Sequence, residues 1–295
     1  MKFMTLLCLS ISLSLATVGA QGDDPSKPIE DIIKKMTLEE KIDFIGGYNS
    51  FNIRGYEHLG IPEIKFADGP VGVRNYGKST SYPASITLAA SFDKNIAEKV
   101  GKAIAMEART KNVHVMLGPG MNIYRMPLCG RNFEYLGEDP FLAGELAAAY
   151  IIGMQEEGIV ATAKHYVANN QEYQRHHVSS DMDERTLHEI YLPAFKTTVQ
   201  KGKVAAIMTA YNLINGIHAS EHNHLINKIL KGKWGFDGFV MSDWVSTYDG
   251  SACATGGLDL EMPSGKMMNR ETLIPLIKDG TISEEIINDK IRRIL

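Results

Sequence analysis

From about residue 60 onward the chain alternates short, unbroken apolar runs with longer segments in which apolar residues recur every three or four positions. The runs at 64–67, 113–117, 159–163, 204–208, 238–241 and 258–262 have the length of buried strands, and the segments between them carry the spacing of amphipathic helices. Three helix starts are readable. Thr37-Leu38-Glu39-Glu40 is a capping box: the Thr37 hydroxyl and the Glu40 carboxylate each take a backbone N–H that the first turn leaves unpaired, ahead of the apolar stripe of Ile42 and Ile45. Asp139-Pro140 sets an acceptor at the cap and a preformed φ at the first helical position, before Leu142, Leu146, Ala149 and Tyr150, and Gly158 is placed to end that helix. Asp183 begins a third, whose face of Leu187, Ile190, Tyr191, Phe195 and Val199 runs to Gly202 across a kink expected at Pro193.

Alternation of this kind predicts a parallel sheet with helices outside it, and no Pro-rich or low-complexity linker divides the run. The expected fold class is α/β, a TIM-like (β/α)8 barrel that is irregular or incomplete, occupying residues 21–295 as one domain. A barrel of about 250 residues accounts for nearly all of that length. An open doubly wound sheet is the alternative, but no Gly-x-Gly-x-x-Gly follows any of the predicted strands.

Composition narrows the function. With 44% hydrophobic residues, 22% charged residues and a formal charge of -4, the chain is an ordinary globular protein with no electrostatic footprint for nucleic acid. Residues 1–20 differ from the rest: Lys2, an apolar stretch over 3–18, then Val18-Gly19-Ala20, the small-residue pattern of signal-peptide cleavage after Ala20. The stretch is shorter than the roughly 20 residues of a spanning helix and is interrupted by Ser10, Ser12 and Ser14, so export to the periplasm or the medium is expected, with no membrane association after cleavage. Cys8 leaves with that segment. Cys129 and Cys253 remain, and they can be bridged only if their Cα atoms approach closely. His176 and His177 are expected to point apart on a strand and His222 and His224 to lie in a loop, so no metal or other cofactor is expected.

Polar groups collect at one end of the predicted strands. Asp68 follows the first, Arg131 and Glu134 lie beyond the second, Lys164-His165 follows the third, Tyr211 the fourth and Asp243-Trp244 the fifth. In a barrel these ends share one face, so residues far apart in sequence converge on one pocket. Taken singly each has an ordinary structural reading: Asp68 before Gly69-Pro70 shapes a turn, Asp243 caps a helix, Lys164 pairs with an acid. Turn-making does not, however, call for an acid, several cations and an indole at the same pole of five strands. Within such a pocket Arg131, Lys164 and Arg175 are expected to hold Asp243 ionised by lowering its pKa.

Several motifs carry a resemblance. Asp68-Gly69-Pro70-Val71-Gly72-Val73-Arg74, the run 130–140 (GRNFEYLGEDP), Ala163-Lys164-His165-Tyr166, Met208-Thr209-Ala210-Tyr211-Asn212 and Ser242-Asp243-Trp244 occur in the order found in glycoside hydrolase family 3 of the β-glucosidase type, which the chain resembles from about Met36 to its end. The resemblance implies hydrolysis of β-glucosides, or of related β-glycosides such as xylosides, with retention at the anomeric carbon. It implies that Asp243 is the nucleophile, that Asp68, Arg131, Lys164, His165, Arg175 and Tyr211 bind sugar, that Met208 lines the pocket and that Trp244 packs by the sugar ring. The residue types suit that chemistry: a retaining glycosidase needs a carboxylate to attack and a second carboxyl group about 5–5.5 Å away to protonate the leaving oxygen. Sugar hydroxyls are matched by an acceptor such as Asp68 and by donors such as Arg131 and Lys164. One departure stands out. In such relatives the acid/base glutamate belongs to an α/β-sandwich domain following the barrel, whereas here the sequence reaches Leu295 as the last barrel helix ends. A truncated chain, or a barrel docking to a sandwich domain on another polypeptide, is therefore expected. The Pro-Gly-His-Gly loop of single-domain N-acetylhexosaminidases is absent from the run 164–172 (KHYVANNQE), and no spacing assigns the acid role to Glu134, Glu172 or Glu261. Two other readings stay open: a sugar-binding barrel module without turnover, and an unrelated metal-dependent barrel hydrolase.

Overall fold

The computed structural model describes residues 27–295; the export segment read at residues 1–20 lies outside them. Among the described residues ten short strands follow one another: β1 (Gly47–Tyr48), β2 (Asn52–Ile53), β3 (Ile64–Asp68), β4 (Val115–Leu117), β5 (Val160–Tyr166), β6 (Ser179–Ser180), β7 (Ala206–Thr209), β8 (Leu213–Ile214), β9 (Ile217–His218) and β10 (Phe239–Met241). Seven of them form one sheet in the order β1-β2-β3-β4-β5-β7-β10. From β3 to β10 every pairing is parallel, while β2 runs antiparallel to both β1 and β3.

Residues 258–262 close the ring. Met241 at the end of β10 bridges Leu260 in parallel and Glu261 bridges Gly46 in parallel, next to β1. The Ser242 and Leu260 N–H groups donate to the Leu260 and Val240 carbonyls (2.9 and 3.0 Å), and the Glu261 and Gly47 N–H groups donate to the Ile45 and Glu261 carbonyls (2.9 and 2.8 Å). Seven strands and this bridged segment make an irregular eight-membered, TIM-like (β/α) barrel with one reversed stave. Phe66, Met116, Ala163, Ile207, Val240 and Leu260 are fully buried along it.

Two crossings hold the helical layer close. Helix Pro140–Glu156 lies between Lys94–Thr110 and Pro193–Gln200. A Cβ at Gly101 would stand 2.0 Å from the Tyr150 carbonyl oxygen, and one at Gly153 would stand 2.1 Å from that of Glu98, so only glycine lets these backbones touch. The capping box at Thr37 forms both of its bonds, and Asp139 caps its helix by accepting from the Phe141 and Leu142 N–H groups.

Elsewhere the expectations need correction. The helix predicted from Asp183 does not merely kink: it breaks into Glu184–Thr186, a wide turn at Leu187–Tyr191 and Pro193–Gln200, because Pro193 has no N–H to continue the ladder and Leu192 donates back to Leu187 instead. His176 and His177 lie in a turn, not a strand, and His224 opens a helical segment, His224–Lys233, rather than sitting in a loop. Cys129 and Cys253 are separate buried thiols. Among the described residues no helix is long and apolar enough to cross a membrane.

Behind the closing segment sits a charge cluster that anchors it. Lys290, 2% exposed, donates to the Leu258 carbonyl (2.7 Å); Lys231 donates to the Gly257 carbonyl (2.8 Å) and to Asp259 Oδ1 (2.7 Å), whose other oxygen accepts from the Val240 N–H. Burial pushes the Lys290 amine down to about 8 from its ordinary 10.5, against the opposing pull of Asp259. The unfolded chain keeps that proton up to its ordinary value and the folded chain only up to about 8, so the unfolded state binds more protons between these limits and stability climbs with pH there. Denaturant unfolding of Lys290→Met at a series of pH values is expected to lose this rise relative to the parent chain.

Candidate active site

At the C-terminal end of the parallel strands a cavity of about 420 Å³ opens. Its wall includes Asp68, Arg131, Lys164, Arg175, Met208, Tyr211, Asp243 and Trp244, the residues singled out in the sequence with one exception, His165. His165 is wholly buried behind the wall. Each residue arrives by a separate route: Asp68 ends β3, Lys164 and His165 lie within β5 rather than past it, Met208 lies in β7, and Asp243 stands two residues beyond β10.

Lys164 and His165 are neighbours in a strand, where successive side chains normally face opposite sides. A bulge changes this. Lys164 pairs with Met208 but Tyr166 pairs with Thr209, so His165 is the extra residue, re-aimed toward the same pole as its neighbour.

Around the cavity the charges interlock. Lys164 Nζ lies 2.9 Å from Asp68 Oδ1 and 3.6 Å from Glu134 Oε2, and Arg74 donates to Asp68 Oδ2 at 2.7 Å. Arg131 bonds Glu134 Oε1 through Nε at 2.5 Å, places Nη2 2.6 Å from His165 Nε2, and reaches toward Asp243 Oδ2 with Nη1 at 3.7 Å. Burial alone would lower the Lys164 pKa, but the Asp68 and Glu134 carboxylates outweigh it and raise it. For Asp68 burial acts upward and is outweighed by Lys164, so its carboxyl falls below the ordinary value. Removing one partner of such a buried pair costs about 3–5 kcal/mol, because the other charge is left uncompensated.

Asp243 departs from the expectation that neighbouring cations lower its pKa. Burial raises it, and the Arg131 and Lys164 charges, though opposed to that rise, do not overcome it. The reason is that both cations are already engaged: Lys164 by Asp68 and Glu134, Arg131 by Glu134. Asp243 Oδ1 accepts the Trp244 N–H at 2.7 Å, while Oδ2 has no hydrogen bond of regular geometry, although the Tyr211 hydroxyl acts on the carboxylate from nearby. Oδ2 lies 3.4 Å from His165 Nε2, but burial and the adjacent cations push His165 well below its ordinary pKa, so the contact is not an ion pair.

Aromatic groups and backbone complete the setting. Trp244 packs on Phe51 with ring centroids 4.9 Å apart, and the Arg175 guanidinium lies 3.8 Å from the Tyr211 ring centre while bonding Glu172 at 2.7 Å. Val245 has φ of 56°, a left-handed conformation costing a β-branched residue about 1–2 kcal/mol, and is held there by its N–H bond to the Met262 carbonyl at 3.1 Å. Phe51 lines the cavity without any sequence signal that marks it, and Phe133 does so from within the 130–140 run. Asn122, which brackets His165, does have one: it sits just past Gly118-Pro119-Gly120, a turn that breaks the apolar run of β4 at the pole where the other polar groups gather. Among the described residues no group of three or more His, Cys, Asp or Glu is arranged to hold a metal ion.

Residues 48–295 match the model of the glycosyl hydrolase family 3 N terminal domain. The chain belongs to this family. Thermostable beta-glucosidase B of Acetivibrio thermocellus is 43% identical over 279 residues, covering 90% of this chain and 37% of that protein. Beta-glucosidase BoGH3A of Bacteroides ovatus is 41% identical over 328 residues, covering 99% of this chain and 44% of that protein. Beta-glucosidase 3B from Thermotoga neapolitana in complex with glucose superimposes with a TM-score of 0.86 at 37% identity, over 91% of this chain and 42% of that one. The chain thus spans less than half the length of these family 3 relatives.

The electrostatics give a direct test. Glu134 competes with Asp243 for Arg131 and Lys164, so Glu134→Gln leaves more positive field on Asp243. Its carboxyl, followed by 13C NMR, is expected to titrate above the ordinary 3.8 in the parent chain and at a lower pH in the variant.

Proposed function

We propose that this family 3 barrel supplies the nucleophile and the sugar-binding wall of a retaining β-glucosidase, with Asp243 attacking the anomeric carbon of a terminal β-glucoside or a related β-glycoside. The observation that carries this reading is the Asp243 carboxylate: buried, anchored by one oxygen, without a hydrogen bond at the other, and set in the wall of a cavity lined by sugar-compatible donors and acceptors. In this scheme Trp244 offers its face to the C–H groups of the sugar. Asp68, Lys164 and Arg131 are pre-oriented by one another, so little side-chain freedom is lost when hydroxyls bind. Developing positive charge at the anomeric carbon is favoured by the unpaired Oδ2. The bond from Oδ2 to the anomeric carbon forms as the bond to the leaving oxygen breaks, the leaving oxygen takes a proton from the second carboxyl group, and water then releases the sugar from Asp243.

The second carboxyl group is assigned to a segment outside the described residues. Glu134 is bound by Arg131 and Lys164, and Glu172 by Asn169 and Arg175. Glu261 accepts the Thr247 hydroxyl and the N–H groups of Lys266, Met267 and Met268. The greater length of the β-glucosidase relatives supports a second domain as the source. Residues 1–20 are proposed as an export signal, so the mature protein recovered from the periplasm or medium is expected to begin at Gln21 by N-terminal sequencing.

The nucleophile assignment is tested with a 2-deoxy-2-fluoro glucoside bearing an activated leaving group, which needs little help from a general acid. Mass spectrometry is expected to place the label on Asp243; a label on another residue overturns the nucleophile assignment, and sugar binding with no label favours the non-catalytic module. Asp243→Asn is expected to lower turnover of an aryl β-glucoside by more than about 10³-fold. The folded Asp243 carboxyl titrates above its unfolded value, so ionising it costs stability as pH rises through that window, and the Asn variant is expected to melt higher at pH 7.

A further inference from the structure

The groups around the His165 ring leave one arrangement for its proton. Asn122 grips the His165 peptide at both ends: its Nδ2 donates to the His165 carbonyl and its Oδ1 accepts the His165 N–H, each at 2.9 Å. These two bonds fix which end of the amide is oxygen. The same Oδ1 lies 3.2 Å from His165 Nδ1, as does the Tyr135 hydroxyl. At the far side of the ring, Arg131 Nη2 stands 2.6 Å from Nε2. A guanidinium has donors and no acceptor, so Nε2 must present its lone pair, and the proton belongs on Nδ1 facing the Asn122 oxygen.

We propose that Asn122 is a positioning residue that holds His165 as the neutral Nδ1–H tautomer, so that Nε2 accepts from Arg131 and fixes the guanidinium beside Asp243. The order of action runs from Asn122 through the imidazole to Arg131, whose three nitrogens are thereby divided: Nε to Glu134, Nη2 to His165, Nη1 toward the Asp243 carboxylate. With the opposite tautomer two donors would face each other at 2.6 Å and Arg131 would turn away. The charged groups acting on the ring are Arg131, Lys164 and Arg175, all positive, and the Asp243 carboxylate; burial and the cations together keep the imidazole neutral. Only the catalytic consequence rests on Asp243 being the nucleophile; the tautomer does not.

The full chain, labelled with 15N-histidine, is examined by long-range 1H–15N NMR, with the His165 signals identified by their loss in His165→Gln. The expected spectrum has a protonated Nδ1 and an unprotonated Nε2 across about pH 5–8, the range in which an ordinary histidine titrates. An Nε2–H tautomer or an imidazolium within that range overturns the proposal. Asn122→Asp keeps the oxygen for both N–H groups, loses the donor to the His165 carbonyl, and adds a carboxylate that favours the charged ring. In that variant His165 is expected to titrate inside the window, and aryl glucoside turnover by the complete enzyme to fall about tenfold per pH unit below the same midpoint. A His165 titration unchanged from the parent chain overturns the coupling. If Asn122→Asp does not fold, the parent spectrum alone decides the tautomer; if Asp243 is not the nucleophile, the fluoroglucoside experiment fails while the spectrum stands.

Discussion

Three carboxylates and two cations, buried or half-buried together at the C-terminal end of a barrel's strands, are the constraint on which the site depends. Glu134 is the centre of it: one oxygen takes Arg131 and the other faces Lys164, which in turn holds Asp68. None of these charges is tolerable alone in so little water, where breaking one pair costs several kcal/mol. The arrangement therefore orients Asp68, Lys164 and Arg131 before any ligand arrives. Its other effect is to engage the cations with Glu134 and Asp68, so that burial prevails at Asp243, whose pKa is raised and whose Oδ2 has no hydrogen bond.

Much of the fold was readable because apolar periodicity reports burial directly. Five of the six predicted runs became the parallel staves, and the caps at Thr37 and Asp139 acted as their side-chain chemistry requires. What escaped were features without local signature. The reversed β2 is two residues long, shorter than any pattern can show, and the run 258–262 joins the ring by isolated bridges that depend on its partners rather than on its own composition. The wide turn before Pro193 reflects how a lost N–H is absorbed, which the sequence locates but does not resolve.

The site divides in the same way. Residues ending strands were legible, because a polar group after an apolar run has few reasons to be there. Their pairings were not. Cations near Asp243 suggested a lowered pKa, yet the sign depends on how far those cations are committed elsewhere, and that is a matter of distances. The resemblance implies His165 among the sugar-binding residues, whereas the bulge in β5 and the grip of Asn122 bury it behind the cavity wall. Phe51, packed on Trp244, comes from a loop before β2 that carries no chemical mark at all.

The seam of the barrel bears on biosynthesis. Gly46 and Glu261 seal the ring, and the Glu261 carboxylate also ties Thr247 and the backbone of 266–268, so a single residue joins the first stave, the last stave and the loop beyond Asp243. A nascent chain that has left the ribosome only as far as β10 therefore has an unpaired sheet edge. The ring closes only when residues 258–262 emerge and bridge Gly46 on one side and Met241 on the other.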